Sequence, residues 1–302
     1  MLTSFLIPLL EKNQLKHPQE VSGLFKSVRR NHMAKAAIET AIWDLYAKRK
    51  KQSLAKLIGG TQKKIPAGVV VATDSTENAL KQIEGYLKDG YQRFKIKINP
   101  QLDLTFLRDI RRHYPDIVLM ADANSAYSLK EIDRLKALDE FELLMIEQPL
   151  HHEDLLQHAK LQAQIRTDLC LDESIRSAAD AAAALELGAC RIVNIKQGRV
   201  GGVLEARAVH DVCLGAGVPV WCGGMLETGI GRATNLALAA MPGFTLPNDT
   251  SASARYFPED LTEPFVLGSD GTMEVPDGPG IGLVPLADGL AASTLRREVL
   301  QA

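Results

Sequence analysis

Apolar and polar positions repeat in one order along most of the chain. From about residue 64 onward, a short apolar run is followed by a polar tip and then by an amphipathic helix. The pattern predicts strands at 65–71, 94–98, 117–121, 143–146, 169–171, 191–195, 219–221 and 244–246. It predicts seven intervening helices, among them 76–89, 129–139, 178–187 and 203–214. Eight strands alternating with seven helices indicate parallel β/α winding.

Helix start signals support this interpretation. A serine precedes the first turn of three predicted helices, at Ser75, Ser128 and Ser177, and serine is a preferred residue at that position. Gly90 and Gly188 follow the ends of two helices, where a left-handed backbone commonly stops the helix. We therefore expect well-defined helices between the strands.

The strand count and the chain length favour a closed barrel, although the period alone also fits an open, doubly wound sheet. Because a last helix is missing, we predict an α/β fold, a (β/α)7β modified TIM barrel, over residues 64–254. Residues 1–63 include a predicted helix at 34–49 with an apolar face, and residues 255–302 are rich in Gly and Pro. We expect these two ends to pack together beside the barrel as a partial α+β capping domain.

Composition and charge exclude several classes of protein. The chain has 302 residues, 46% of them hydrophobic, and 35 basic residues against 37 acidic ones give a net charge of −2. This balance excludes a nucleic-acid binder that relies on a general basic field. No apolar run approaches the roughly 18–20 residues of a membrane helix, and the apolar start lacks the basic residues of a signal peptide. We therefore expect neither a nucleic acid nor a membrane as partner.

The cysteines indicate a reducing compartment. They show no close paired spacing, which argues against a zinc site and against a disulfide framework. We accordingly expect a cytoplasmic protein. The four cysteines are Cys170, Cys190, Cys213 and Cys222.

Charged residues stand where the predicted strands end, which is where the chemistry of a β/α barrel is located. Five consecutive strands each contribute at least one. These residues are Lys95 and Lys97, Asp122, Glu147, Asp172, and Lys196. One such residue alone is usually a solvated loop residue or a helix cap. Five strands in register give a much more specific signal.

Three of these side chains suggest a metal site. Asp122, Glu147 and Asp172 come from neighbouring strands, and converging carboxylates repel one another unless a cation lies between them. All-oxygen ligation favours Mg²⁺. Lys95 and Lys97 share a strand face, so repulsion between them favours a lowered pKa for Lys97, which suits a general base.

Seven short motifs carry a family resemblance. Five of them, at 94–98, 121–124, 146–150, 171–174 and 194–202, resemble motifs of the enolase superfamily. The other two, at 221–232 and 249–253, resemble its branch of o-succinylbenzoate synthases and N-succinylamino acid racemases. The resemblance covers nearly the whole chain.

The resemblance implies roles for the strand-end residues. Asp122, Glu147 and Asp172 would bind Mg²⁺, with Mn²⁺ as an alternative, while Lys97 and Lys196 would be the acid/base pair. From its place on the strand face of Lys97, we expect Lys95 to be a catalytic residue that tunes Lys97. The resemblance further implies a small carboxylate substrate with a succinyl group, whose distal part would be bound by backbone N–H groups of the 228–233 loop. The expected substrate-binding residues are Asn124, Gly224, Met225, Gly229 and Ile230.

The activity implied is Mg²⁺-dependent o-succinylbenzoate synthesis, the dehydration of a cyclohexadiene carboxylate in menaquinone biosynthesis through an enediolate. The alternatives are an N-succinylamino acid racemase acting by 1,1-proton transfer, a dipeptide epimerase, or an inactive relative. Family members usually carry a further N-terminal part of the cap with two mobile loops, which this sequence is expected to lack, so that turnover would be slow. We also expect a homo-oligomer.

Overall fold

The computed structural model describes residues 1–299, in which helices come first and short strands alternate with helices from residue 64 onward. The strands are β1 Lys64–Pro66, β2 Gly68–Val71, β3 Arg93–Lys97, β4 Val118–Asp122, β5 Ile146–Glu147, β6 Leu169–Leu171, β7 Ile192–Ile195, β8 Val220–Cys222 and β9 Thr272–Glu274. The α-helices are α1 Ile7–Glu11, α2 Glu20–Leu24, α3 His32–Arg49, α4 Leu54–Ile58, α5 Thr76–Asp89, α6 Leu104–His113, α7 Ile132–Ala137, α8 Leu155–Gln162, α9 Ala178–Glu186, α10 Gln197–Val200, α11 Val203–Gly215, α12 Gly229–Ala239 and α13 Ala287–Ser293.

The strands β2 to β8 form one parallel sheet in which each strand pairs with the next along the chain. This sheet and its connecting helices confirm the predicted α/β barrel. The first predicted strand, 65–71, is wrong in one respect, because it divides at Ala67. The part before it, β1, pairs antiparallel with β9 instead of joining the barrel. Ala67 donates its N–H to Gly271, next to β9, and β2 begins one residue later.

The eighth predicted strand, 244–246, is not a regular strand. Phe244 forms an isolated parallel bridge to Val220, and Asn248 forms another to Ala67. The backbone of Asn248 also accepts the N–H of Gly68 at 2.7 Å. This segment therefore connects the last strand to the first and closes the barrel. A continuous ladder does not form, since Pro247 has no N–H to contribute to one.

The expected helix starts are confirmed at Ser75, Ser128 and Ser177, each of whose side chains accepts a backbone N–H of the first turn. Gly90 ends α5 with φ of 98°, in the left-handed region. The predicted helix 129–139 is wrong as a single element. It is interrupted into a short 3₁₀ turn, the helix α7 and a second 3₁₀ turn.

A layer of apolar side chains fills the barrel just below its functional end. Its buried members are Met120, Met145, Cys170, Ile192 and Trp221. Side chains two positions apart on a strand point to the same face. The residues two positions beyond the first four members of this layer are Asp122, Glu147, Asp172 and Asn194. The alternation of the strands thus places a polar side chain above each of these four apolar ones.

The two chain ends pack against each other, as expected from the sequence. The predicted helix 34–49 is confirmed as α3, which starts two residues earlier. Asp44 of α3 accepts the N–H of Ile281 at 2.8 Å, and Leu54 donates its N–H to Gly280. The domain division into 1–63, 64–254 and 255–302 stays a prediction. Among residues 1–299, no helix is long and apolar enough to cross a membrane.

Candidate active site

The strand register brings the predicted site residues to one edge of the sheet. Lys97 is the register partner of Asp122, and Asp122 is that of Glu147. Asp172 directly follows β6, and Lys196 directly follows β7. The order of the strands therefore sets the three carboxylates between the two lysines.

Lys95 lies inside the barrel mouth and contacts three carboxylates. Its Nζ atom is 2.7 Å from Asp249, 3.2 Å from Glu147 and 3.3 Å from Asp122. It also lies 5.1 Å from the centre of the Trp221 ring. Burial lowers the pKa of the Lys95 ammonium, but the carboxylates outweigh burial and hold the pKa above its ordinary value. Lys95 is therefore a permanent positive charge at neutral pH.

The two outer lysines have similar contacts but different exposure. The Lys97 Nζ atom lies 2.7 Å from Asp122 and also hydrogen-bonds Asn124, with 43% of its side chain exposed. The Lys196 Nζ atom lies 2.7 Å from Asp172, with 12% of its side chain exposed. Both can exchange protons with a group in the barrel mouth, and Lys97 is the more open to solvent. That Lys95 tunes Lys97 by repulsion stays a prediction.

Two adjacent carboxyl groups differ in their ease of ionisation. Burial raises the pKa of Asp122, but the ammonium groups of Lys95 and Lys97 outweigh it and hold this pKa below its ordinary value. Burial and the neighbouring Asp122 raise the pKa of Glu147, which is fully enclosed. Asn194 donates to Glu147 at 2.7 Å. A further positive charge between these groups would favour ionisation of both.

The donor set suits a hard divalent cation. The carboxyl groups of Asp122, Glu147 and Asp172 are all buried and offer only oxygen atoms. The side-chain oxygen of Asn194 and Oε2 of Glu173 are buried, and neither has a hydrogen-bond partner among residues 1–299. Within residues 1–299, however, no three His, Cys, Asp or Glu side chains lie close enough together to hold a metal ion. Lys97 contacts the carboxylate of Asp122, and Lys196 contacts that of Asp172. The assignment of these ligands stays a prediction.

The expected substrate-binding residues differ in their surroundings. Met225 and Ile230 line a cavity of about 460 Å³ together with Lys196, between α3 and the barrel. Asn124 is exposed beside Lys97 and donates to Glu173 at 3.1 Å.

The two glycines of this set are less open. A Cβ atom on Gly224 would lie 2.6 Å from the carbonyl oxygen of Asp249, so this backbone is closely packed. Gly229 donates its N–H to Asp260 at 2.8 Å. That N–H group is therefore already used within the protein. Substrate contact by any of the five residues stays a prediction.

Sequence reasoning missed several charged residues beneath and beside the site. Arg93 is fully buried and lies 2.8 Å from Asp249, which in turn contacts Lys95. Arg199 contacts the carboxylate of Asp172 and donates from Nε to Ile175 at 2.8 Å. Arg93 shares a strand face with Lys95, and this period-two spacing was a usable signal. Nothing in the sequence pattern linked either arginine to its carboxylate.

A buried glutamine holds the ends of two strands together. The Oε1 atom of Gln148 accepts the N–H groups of Asp172 at 3.0 Å and of Ser174 at 3.2 Å. His158 supports the same loop, because its Nε2 atom accepts the N–H of Leu150 at 3.2 Å. Burial lowers the pKa of His158, so the neutral ring that accepts this bond is the stable form.

This histidine predicts a pH dependence of stability. The pKa of His158 is lower in the folded state than its unfolded value of 6.5, so the neutral ring contributes its full stabilisation above pH 6.5. That contribution is lost as the pH falls through the lower, folded-state pKa. We expect His158→Gln to reduce the free energy of unfolding at pH 8 by about 1–3 kcal/mol. The difference from the wild type should shrink towards pH 5. Urea denaturation at a series of pH values measures it, and a pH-independent difference would contradict this role of His158.

Comparison with known proteins identifies the family. Residues 78–288 match the family described as Enolase C-terminal domain-like, and residues 5–59 match the Mandelate racemase / muconate lactonizing enzyme, N-terminal domain. A solved structure of an enolase superfamily member from Enterococcus faecalis V583 superposes with a TM-score of 0.91 at 47% identity, covering 96% of this chain and 79% of that one.

Curated relatives narrow the relationship. The chain is 53% identical to an o-succinylbenzoate synthase of Geobacillus kaustophilus over 283 residues, and this alignment covers 93% of this chain and 76% of that protein. It is 49% identical over 290 residues to an N-succinylamino acid racemase of Amycolatopsis sp., which covers 95% of this chain and 78% of that protein. The chain belongs to the enolase superfamily, in the branch that holds these synthases and racemases.

Proposed function

We propose that this enzyme is an o-succinylbenzoate synthase, a lyase that dehydrates a cyclohexadiene carboxylate in menaquinone biosynthesis. The observation that carries the proposal is the placement of Lys97 and Lys196 on either side of three buried carboxylates. The names of the relatives from Geobacillus kaustophilus and Bacillus subtilis, at 53% and 51% identity, support the same activity. The reaction begins with loss of a proton α to a carboxylate.

Members of the enolase superfamily use a divalent metal ion, and we propose Mg²⁺ here, with Mn²⁺ as an alternative. Asp122, Glu147 and Asp172 would hold it, since they are buried oxygen donors at adjacent strand ends. When bound, the ion would supply positive charge that stabilises the enediolate more than the carboxylate substrate.

The lysines perform the proton transfers in this proposal. One of Lys97 and Lys196 removes the α-proton and then gives a proton to the leaving hydroxyl group, so that water departs. The other stays protonated and stabilises the negative charge of the enediolate. Lys95 does not exchange protons, because three carboxylates keep it charged. It holds Asp122 and Glu147 in position, which makes it a positioning residue rather than a base.

Racemisation of N-succinylamino acids is the second candidate activity. Two lysines on opposite sides of one site suit removal of a proton from one face and its return to the other. The racemase of Amycolatopsis sp., at 49% identity, supports this candidate. A dipeptide epimerase is less favoured, since the L-Ala-D/L-Glu epimerase of Clostridium acetobutylicum is only 29% identical.

We further propose a cytoplasmic location and a small succinyl-bearing carboxylate as substrate. The four cysteines are all buried and free of disulfides, which supports a reducing compartment. Burial raises the pKa of the Cys190 thiol to about 12, so it is unreactive. A homo-oligomer, and the absence of nucleic-acid and membrane partners, stay predictions.

Activity and metal binding are tested together. We expect the purified chain to convert the cyclohexadiene carboxylate to an aromatic product. EDTA should abolish this activity, and added Mg²⁺ should restore it. Glu147→Gln should weaken Mg²⁺ binding about tenfold or more, because it removes a charged oxygen donor. Calorimetry measures this affinity, with the exposed Glu186→Gln as control. An active enzyme with undiminished Mg²⁺ affinity in Glu147→Gln would overturn the ligand assignment, and an inactive wild type would overturn the synthase.

The two lysines predict selectivity between substrate faces. In D₂O, Lys97→Ala and Lys196→Ala should each abolish racemisation of an N-succinylamino acid. Each variant should still exchange the α-proton of one enantiomer, a different one in the two variants, because the remaining lysine serves its own face. Proton NMR of the α-position measures both rates. Equal loss of exchange for both enantiomers in both variants would count against two opposed bases.

A further inference from the structure

A buried carboxylate connects the capping segment to the barrel. Glu39 of α3 is 2% exposed and accepts three hydrogen bonds. The donors are the N–H of Val203 at 2.8 Å, the N–H of Leu204 at 3.0 Å and Nε1 of Trp43 at 2.7 Å. Within residues 1–299, no basic side chain forms an ion pair with Glu39. Burial raises the pKa of Glu39, and these donors oppose that effect. Two backbone N–H groups and an indole N–H, rather than a cation, therefore surround its carboxyl group.

The two backbone donors are the first residues of α11. The N-cap residue of this helix, Gly202, has no side chain that could accept their bonds. Glu39 takes that role from another element and places negative charge at the positive end of the helix. A Cβ atom on Gly202 would lie 2.4 Å from the Glu39 carboxylate, and the φ of Gly202 is 137°. The close approach of the two elements therefore requires glycine at this position.

A short segment joins helix α11 to the second lysine. Lys196 is the N-cap residue of the short helix α10, and its carbonyl accepts the N–H of Arg199 at 3.0 Å. Gly201 and Gly202 then lead into α11. Thr40, next to Glu39, donates to the side chain of Gln197 at 3.2 Å. The segment 196–204 is thus held by α3 on one side.

The barrel holds the same segment on its other side. Arg199 contacts Asp172 and the carbonyl groups of Ile175 and Asn194. Lys97, in contrast, lies on β3, and its polar contacts are Asp122 and Asn124. The capping helix α3 therefore contacts the segment that follows Lys196, whereas Lys97 is held by residues of the barrel.

We propose that Glu39 is a positioning residue for Lys196. By fixing the first turn of α11, its carboxylate sets the course of α10 and hence the place of the Lys196 ammonium beside Asp172. Proton transfer by Lys196 then depends on the docking of the capping helix, whereas transfer by Lys97 does not. The inference rests on the proposed function, in which both lysines face the substrate.

Glu39→Gln tests the inference with little change of volume. The amide group of glutamine would point an N–H at a backbone N–H, so at least one bond to α11 is lost. Asp44→Ala is the matched control, because it removes a carboxylate of the same helix that accepts a backbone N–H from Ile281 instead. Lys196→Ala identifies which enantiomer of an N-succinylamino acid depends on Lys196 for α-proton exchange.

We expect Glu39→Gln to slow the exchange of that enantiomer about tenfold or more, with the other enantiomer within about twofold of wild type. Amide hydrogen exchange of residues 197–204, measured by mass spectrometry, should become faster in Glu39→Gln and stay unchanged in Asp44→Ala. In the synthase reaction, kcat should fall while KM stays within about twofold.

Equal slowing for both enantiomers would show a merely structural role and overturn the inference. Unchanged amide exchange at 197–204 in Glu39→Gln would also overturn it. A wild type that turns over neither substrate would refute the proposed function instead. The amide exchange then still decides whether Glu39 holds this segment, because that measurement needs no activity.

Discussion

The structure depends on one buried cluster of charges at the mouth of the barrel. Lys95 is 4% exposed and lies within 3.3 Å of Asp122, Glu147 and Asp249. Ions removed from water are tolerated only when opposite charges and hydrogen bonds replace the lost hydration. The Lys95 ammonium therefore allows the carboxylates of Asp122, Glu147 and Asp249 to stay buried side by side. Without such a charge, they would repel one another or take up protons.

The barrel strands supply every member of this charge cluster except Asp249. Alternation along β4 and into β5 sets Asp122 and Glu147 above the apolar layer, and the parallel register aligns them with the lysines of β3. Asp249, however, arrives from the irregular segment that closes the barrel, where Arg93 and Lys95 both contact it. The charge cluster therefore connects the closure of the fold to the alignment of the site. The geometry of the proposed active site and the stability of the fold therefore depend on the same contacts.

Signals with a short period made much of the fold and site predictable. Strand ends fall where apolar runs stop, so the positions of Asp122, Glu147 and Lys196 followed from the sequence. The closing segment did not, because its two bridges join residues far apart in the chain and form no continuous ladder. The hydrogen bond that Val203 donates to Glu39 joins residues 164 positions apart in the sequence, and no local pattern identifies it. Contacts between distant segments are thus what sequence periodicity leaves out.

The stability of Lys95→Met tests the importance of the charge cluster most directly. Removing the central ammonium leaves buried carboxylates uncompensated, and urea denaturation at pH 7 should show a loss of about 3–5 kcal/mol. Lys81→Met, which breaks an exposed pair with Glu77, should cost less than about 1 kcal/mol. Adding Glu147→Gln to Lys95→Met should restore part of the loss, since within residues 1–299 Glu147 forms an ion pair with Lys95 alone and this unpaired carboxylate is then gone. A Lys95→Met protein as stable as Lys81→Met would contradict the account.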